Sequence, residues 1–229
     1  MKQHTQITAI IPAYNEETRI PYVIQQIQKI PHINQIIVVD DGSEDNTFKV
    51  TKQFPEIDIL RNVTNKGKAY SMDRGVKISK NTTLFFCDAD LKWLKTQDII
   101  NMIEPVLRGK YDMYLGIRRN KMQRIIKTFA LNTGERVIKR EIWEKIPDFY
   151  KYRYRIESGL NFYVKHYGKW FGYTKMEYFQ TLKEKKYGLF QGMKLRWSMN
   201  YDVTLALWRA YLYDLPKWTL KKNLQFWQK

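Results

Sequence analysis

The chain has 229 residues, 44% hydrophobic and 15% aromatic, with Cys87 as its single cysteine; this is ample for one large core and excludes a disordered chain and a disulfide scaffold. The net charge of +17 is uneven: residues 1–117 carry 15 Lys/Arg against 14 Asp/Glu, residues 118–229 carry 25 against 9, and the second half holds 24 of the 34 aromatics. A basic, aromatic half beside a neutral half points to an anionic partner met on one side: nucleic acid, a phosphorylated acceptor or an anionic membrane surface.

In chain order, residues 7–13 read as a buried strand ended by Pro12, and residues 19–30 as a helix (Ile20, Val23, Ile24, Ile27) stopped by Pro31. Residues 35–39 form a second strand running into Asp40 and Asp41. A turn with Ser43 or Asp45 as N-cap then opens a helix at 47–54. A third strand at 57–60 and a loop at 65–68 lead to a helix at 69–79, followed by a strand at 84–87 that stops at Asp88-Ala89-Asp90. Three strand–helix alternations with short connections predict a parallel sheet with right-handed crossovers.

Beyond it, a helix is predicted at 96–107, a strand at 111–116, a turn at 132–136, a helix at 141–145, a helix at 160–167 and an edge strand at 170–179. Apolar residues from Leu189 to Leu212 recur at helical spacing up to Pro216, which is expected to end that helix and leave a basic, aromatic tail. No stretch approaches the roughly 18 apolar residues of a spanning helix, and residues 1–8 show no apolar leader.

Two strands therefore end in acidic pairs on one sheet edge, where open α/β sheets bind ligands. Side chains at i and i+2 of an extended segment share a face, so Asp88 and Asp90 can reach one ion, and hard carboxylate oxygens suit Mg²⁺ or Mn²⁺ bridging to phosphates. An isolated acidic pair after a strand is also a common polar loop. The first strand lacks the glycine fingerprint of a dinucleotide fold and the chain lacks a P-loop, which disfavours both classes.

Pro12-Ala-Tyr-Asn-Glu16, Val38-Val-Asp-Asp-Gly-Ser43, Asn65-Lys-Gly-Lys-Ala69 and Cys87-Asp-Ala-Asp-Leu91 together resemble a family 2 glycosyltransferase of the GT-A fold. The resemblance covers about the first 120 residues well and the rest more loosely, through residues 134–141, Glu157 and residues 183–186. It lies nearest to polyprenyl- and dolichyl-phosphate sugar synthases and glucosyl-3-phosphoglycerate synthases. It implies a mainly parallel sheet flanked by helices, with a catalytic unit over 1–185 (nucleotide half 1–117, acceptor half 118–185) and a helical basic–aromatic appendage over 186–229. It further implies that Pro12, Tyr14, Glu16, Val39 and Asp41 line the nucleotide, and that Asp88, Ala89 and Asp90 face donor and metal. Lys68 and Arg118 then serve the diphosphate, Glu157 acts as base and Arg136 as a phosphate clamp; on the sequence alone, Glu157 could instead be a charge partner of Arg153 or Arg155. Two positions depart from the pattern. Lys92 stands where such synthases carry glutamine, and Gln180 stands where relatives place a metal-binding histidine, so Gln180 would offer an amide oxygen instead.

The expected activity is metal-dependent, inverting transfer from a UDP- or GDP-sugar to a lipid or lipid-phosphate acceptor, by a cytoplasmic protein peripheral to the inner membrane face. The alternative acceptor is a soluble anion such as a phosphoglycerate. A phosphate acceptor needs no base, because its nucleophile is already anionic. From another class, the basic half could bind nucleic acid, with the alternation at 150–155 as a stacking platform; no recognition motif accompanies it. A sugar nucleotidyltransferase would need a glycine-rich, Arg-containing loop after the first strand, and residues 12–16 are not that loop.

Overall fold

The structure, a computed structural model, describes residues 6–118, 131–180 and 188–220. The basic stretch at 183–186 and the tail from 221 lie outside the described residues. The strands are β1 (Ile7–Ala13), β2 (Ile33–Asp40), β3 (Asp58–Arg61), β4 (Thr83–Phe86), β5 (Leu91–Lys92), β6 (Met113–Arg118), β7 (Arg136–Lys139), β8 (Phe171–Met176) and β9 (Phe179–Gln180). The helices are α1 (Ile20–Gln28), α2 (Thr47–Thr51), α3 (Lys68–Ile78), α4 (Thr96–Leu107), α5 (Arg140–Lys145), α6 (Ile156–Tyr167) and α7 (Leu189–Arg209).

Seven strands make one sheet in the order β3-β2-β1-β4-β7-β6-β8. β3, β2, β1 and β4 are parallel, as the strand–helix alternation predicts. β7 runs antiparallel to both of its neighbours, β4 and β6, a reversal that periodicity cannot carry. An antiparallel strand begins at the edge where its parallel neighbours end. That reversal therefore puts residues 133–136 beside the end of β4, with Arg136 opposite Phe86. β8 closes the sheet parallel to β6, and the chain then leaves it to pair β9 with β5.

Helices cover both faces, giving three layers. Ile7, Ala9, Ile11 and Phe85 point into the layer under α1 and α4, while Ile10, Leu84 and Phe86 point into the layer under α3, α5 and α6. This is the period-2 alternation of strands buried on both sides. In α1 the fully buried Ile20, Val23, Ile24 and Ile27 form one stripe, each worth about 1.5–3 kcal/mol of burial. Pro21 sits in the first turn, where its missing N–H costs nothing.

The C-terminal helix docks on the same core, since Ala206 and Ala210 belong to the α6-side layer. Arg155 pairs with Asp202 at 3.1 Å, Arg153 donates to Ser198 at 2.6 Å, and Tyr150 donates to Asp214 at 2.6 Å. Pro216 does not end the helix, contrary to the sequence expectation: one π turn at Ala210–Asp214 precedes it, and helix continues to residue 220. Pro216 has no N–H to donate back, and the π turn ahead of it has Leu215 N–H reaching Ala210 O, five residues earlier.

Candidate active site

The site is built at the edge where β1, β2 and β4 end. The turns after β1 and β2 are laced together: Asn15 N–H donates to Ser43 Oγ at 3.0 Å, Glu44 N–H to Asn15 Oδ1 at 2.9 Å, and Glu16 N–H to Thr47 Oγ1 at 2.7 Å. The N-cap of α2 is Asn46, with no side-chain cap, and not Ser43 or Asp45 as the sequence suggests; Asp45 accepts from Thr47 N–H at 2.9 Å at the helix start. Pro12 and Val39 are register partners at this edge, and Glu16 is buried in an ion pair with Arg19.

Asp41 is taken up by the neighbouring loop. Its carboxylate accepts from Asn62 Nδ2 at 2.6 Å, Lys66 N–H at 2.9 Å and Gly67 N–H at 2.7 Å. Gly42, with φ +74°, lies so close to that loop that a Cβ there would stand 2.7 Å from Thr64 C. The result is a loop held from beneath that delivers Lys68 as the first residue of α3.

Lys68 is the hub. Its Nζ lies 2.6 Å from Asp88 Oδ1 at the end of β4 and 3.1 Å from Glu157 Oε1 in the first turn of α6. Burial works against its charge, but Asp88 and Glu157 outweigh that and raise the ammonium pKa above its ordinary value. The sequence offered Arg153 or Arg155 as the partner of Glu157; both arginines instead pair with Asp202 on α7.

Asp88 rests on the start of the β7 segment, where a Cβ on Gly134 would come within 2.6 Å of Asp88 Cγ and would have to push that carboxylate aside. Beside it lies Glu135, which carried no role in the sequence reading. It is buried and accepts from Thr133 Oγ1 at 2.5 Å and from the Tyr178 hydroxyl. Burial first, and then the Asp88 charge, push its carboxyl up to about 7. Its only sequence signal is a carboxylate inside the predicted turn at 132–136.

Arg136 is fully buried. It donates to Thr133 O and, at 3.4 Å, to Glu157 O. The guanidinium thus ties β7 to the first turn of α6 and directs its fork at backbone carbonyls, away from the open edge. Arg118 is half-buried at the end of β6. Gln180 pairs through its backbone with Leu91 in the β5–β9 ladder, which sets it beside the residue following Asp90.

Among the described residues no group of three or more His, Cys, Asp or Glu side chains could hold a metal alone. Asp88 and Asp90 offer hard carboxylate oxygens of the kind Mg²⁺ or Mn²⁺ takes, with one Asp88 oxygen held by Lys68 in this structure. The edge therefore presents two carboxylates, an ammonium held between Asp88 and Glu157, and a floor of buried polar groups.

The family model described as "Glycosyl transferase family 2" matches residues 8–196. An uncharacterized protein of Methanocaldococcus jannaschii is 34% identical over 122 residues, 49% of this chain and 52% of its own. The dolichyl-phosphate beta-glucosyltransferase of Mus musculus is 31% identical over 100 residues, 37% of this chain and 31% of its own. The chain thus spans about half or less of the length of these curated relatives. A crystal structure of glucosyl-3-phosphoglycerate synthase from Mycobacterium tuberculosis, in complex with Mn²⁺, UDP and phosphoglyceric acid, superposes with TM-score 0.75. It is 17% identical, over 90% of this chain and 78% of that one, a likeness of fold.

Proposed function

The chain belongs to glycosyl transferase family 2, and from that premise we propose that it transfers a sugar, with inversion, from a UDP- or GDP-sugar to a lipid or lipid-phosphate acceptor at a membrane face. The observation that carries the reading is the Lys68 bridge between Asp88 and Glu157, which unites a strand-end carboxylate, a loop cation and a helix carboxylate at one point.

The turn residues Pro12, Tyr14, Glu16, Val39 and Asp41 bound the nucleotide, Asp41 acting through the loop it fixes. Asp88 and Asp90 would hold Mg²⁺ or Mn²⁺ with Ala89 between them, and Gln180 stands close to that pair in the backbone ladder. A divalent ion there supplies charge neutralisation for the departing diphosphate. Lys68, already charged and aimed into this edge, turns from its carboxylates to donor phosphate, and Arg118 meets the diphosphate from the end of β6.

Glu157, freed of Lys68, takes the proton of a hydroxyl acceptor; a phosphate acceptor is already anionic and leaves Glu157 as a charge partner only. Arg136 holds Glu157 in place through its backbone carbonyl. Support for a lipid-phosphate acceptor comes from the mouse relative, whose name states that acceptor.

The test is calorimetric titration of UDP- and GDP-sugars with Mn²⁺ and then with EDTA, followed by sugar transfer to a polyprenyl phosphate in vesicles and, separately, to 3-phosphoglycerate. Binding to one nucleotide that requires the metal, and is lost in Asp90→Asn, is the expected result. Donor affinity unchanged by EDTA or by that substitution overturns the metal assignment, and transfer to 3-phosphoglycerate alone overturns the lipid acceptor.

A further inference from the structure

A helix that only packs on a core turns its large apolar residues inward. α7 does the reverse. Its buried positions are Gly192, Val203, Ala206 and the charged Asp202, with Ala210 following in the π turn. The opposite side carries Phe190 (87% exposed), Trp197 (74%), Tyr201 (67%) and Trp208 (66%). These positions, with the exposed Met193 between them, recur every three, four or seven residues, so they lie on one stripe. Exposed Leu212 follows after the π turn. From Phe190 to Leu212 the stripe runs roughly 33 Å at 1.5 Å per residue. Single exposed apolar residues are ordinary on a protein surface, but a contiguous aromatic stripe of this length marks an interaction surface.

Charge chooses the occupant. Residues 189–220 contain two carboxylates, Asp202 and Asp214, and both are buried toward the core. Asp202 is held by Arg153 and Arg155, and Asp214 by Tyr150. Lys194, exposed beside Met193, and the exposed Lys217 remain on the outside. The outer face therefore offers aromatic rings and ammonium groups and no carboxylate. Aromatic rings seated at the headgroup level with cations among anionic lipids are the chemistry of an interfacial helix. No helix among the described residues is long and apolar enough to cross a membrane, so the contact is in-plane.

We infer that the outer face of α7, from Phe190 to Leu212, is a docking surface for an anionic lipid bilayer. The helix itself stands one side chain from the donor loop. Arg153, which donates to Ser198 on α7, has its Cγ 3.7 Å from where a Cβ on Gly67 would be, next to Lys68. A docked α7 therefore holds the Lys68 edge close to the bilayer from which a lipid acceptor is drawn. That consequence rests on the lipid-acceptor reading; the docking itself rests on the helix.

The experiment is flotation of the full chain with phosphatidylcholine vesicles and with phosphatidylglycerol-rich vesicles, for the native protein, W197E/W208E and the uncharged W197S/W208S. The native protein is expected to float with the anionic vesicles only, and both variants to lose at least about tenfold in partitioning, with unchanged melting and donor binding. Flotation of either variant as well as the native protein overturns the inference. A native protein that floats with neither vesicle and is a dimer made monomeric by W197S/W208S overturns it in favour of a second copy on the stripe. Donor binding without flotation removes the docking surface and leaves the transferase reading standing, and flotation without donor binding does the opposite.

Discussion

Replacing Lys68 by Met keeps most of the side-chain volume and removes the charge that joins Asp88 to Glu157. The ammonium makes contacts of 2.6 and 3.1 Å with two carboxylates, and all three side chains are largely withdrawn from solvent. Each charge-assisted bond contributes about 1.5–3 kcal/mol, part of which is offset because methionine no longer buries an ammonium. The net expected loss is about 2–3 kcal/mol, or roughly 4–12 °C in Tm for a chain of this size.

Because the folded state raises the lysine pKa, this contribution is fully present below the unfolded value and is lost only as pH rises through the folded one. Urea unfolding at pH 7.5 therefore reads all of it. A cycle of Lys68→Met, Asp88→Asn and the double variant should return a coupling of about 1–2 kcal/mol. That coupling should change little between low and high salt, since a pair shielded from solvent is poorly screened. A coupling near zero, or one that vanishes in salt, would refute the bridge as the element joining loop, strand and helix.

Gly134→Ala should displace the Asp88 carboxylate, because the new Cβ would come within 2.6 Å of Asp88 Cγ. About 1–3 kcal/mol of stability and metal-dependent nucleotide binding should fall together, read by urea melts and calorimetry. Glu135 ionises in the unfolded chain near its usual 4.5 and in the folded protein only near 7. The fold should therefore lose up to about 3 kcal/mol as pH rises across that window and stay level above it. Glu135→Gln should flatten the slope in melts done in EDTA, and an unchanged slope would assign it to another group. Arg136→Lys should cost about 2–4 kcal/mol, because an ammonium cannot span the Thr133 and Glu157 carbonyls that the guanidinium fork joins. Loss of donor binding in that variant without loss of stability would return Arg136 to a phosphate-binding role.

The parallel half of the fold was legible because its signals are local. The strands at 7–13, 35–39 and 84–87 are short apolar runs that stop at a proline or a carboxylate, and a helix follows each within about ten residues, so the strand–helix alternation, and with it the parallel pairing of β1 to β4, comes from sequence spacing alone. The acidic strand ends were legible for the same reason. What was not legible depends on contacts far apart in sequence. The direction of β7 is set by pairing with β4 and β6, across 50 and more residues from β4, and nothing in residues 136–139 records which way they run. Glu157 shows the same limit. Its neighbours in sequence, Arg153 and Arg155, were the natural partners on the line of the chain, yet both turn to Asp202, some 47 residues on, and the carboxylate meets Lys68 from 89 residues before it. Glu135 gave no sequence signal of its role, because a carboxylate at a strand start is ordinarily solvated. Only when the reversed β7 carries it against Asp88 and the Tyr178 hydroxyl does its charge become costly. The sequence thus marks which groups can do chemistry at the sheet edge, whereas the state of each group is decided by the one or two distant residues that the topology sets against it.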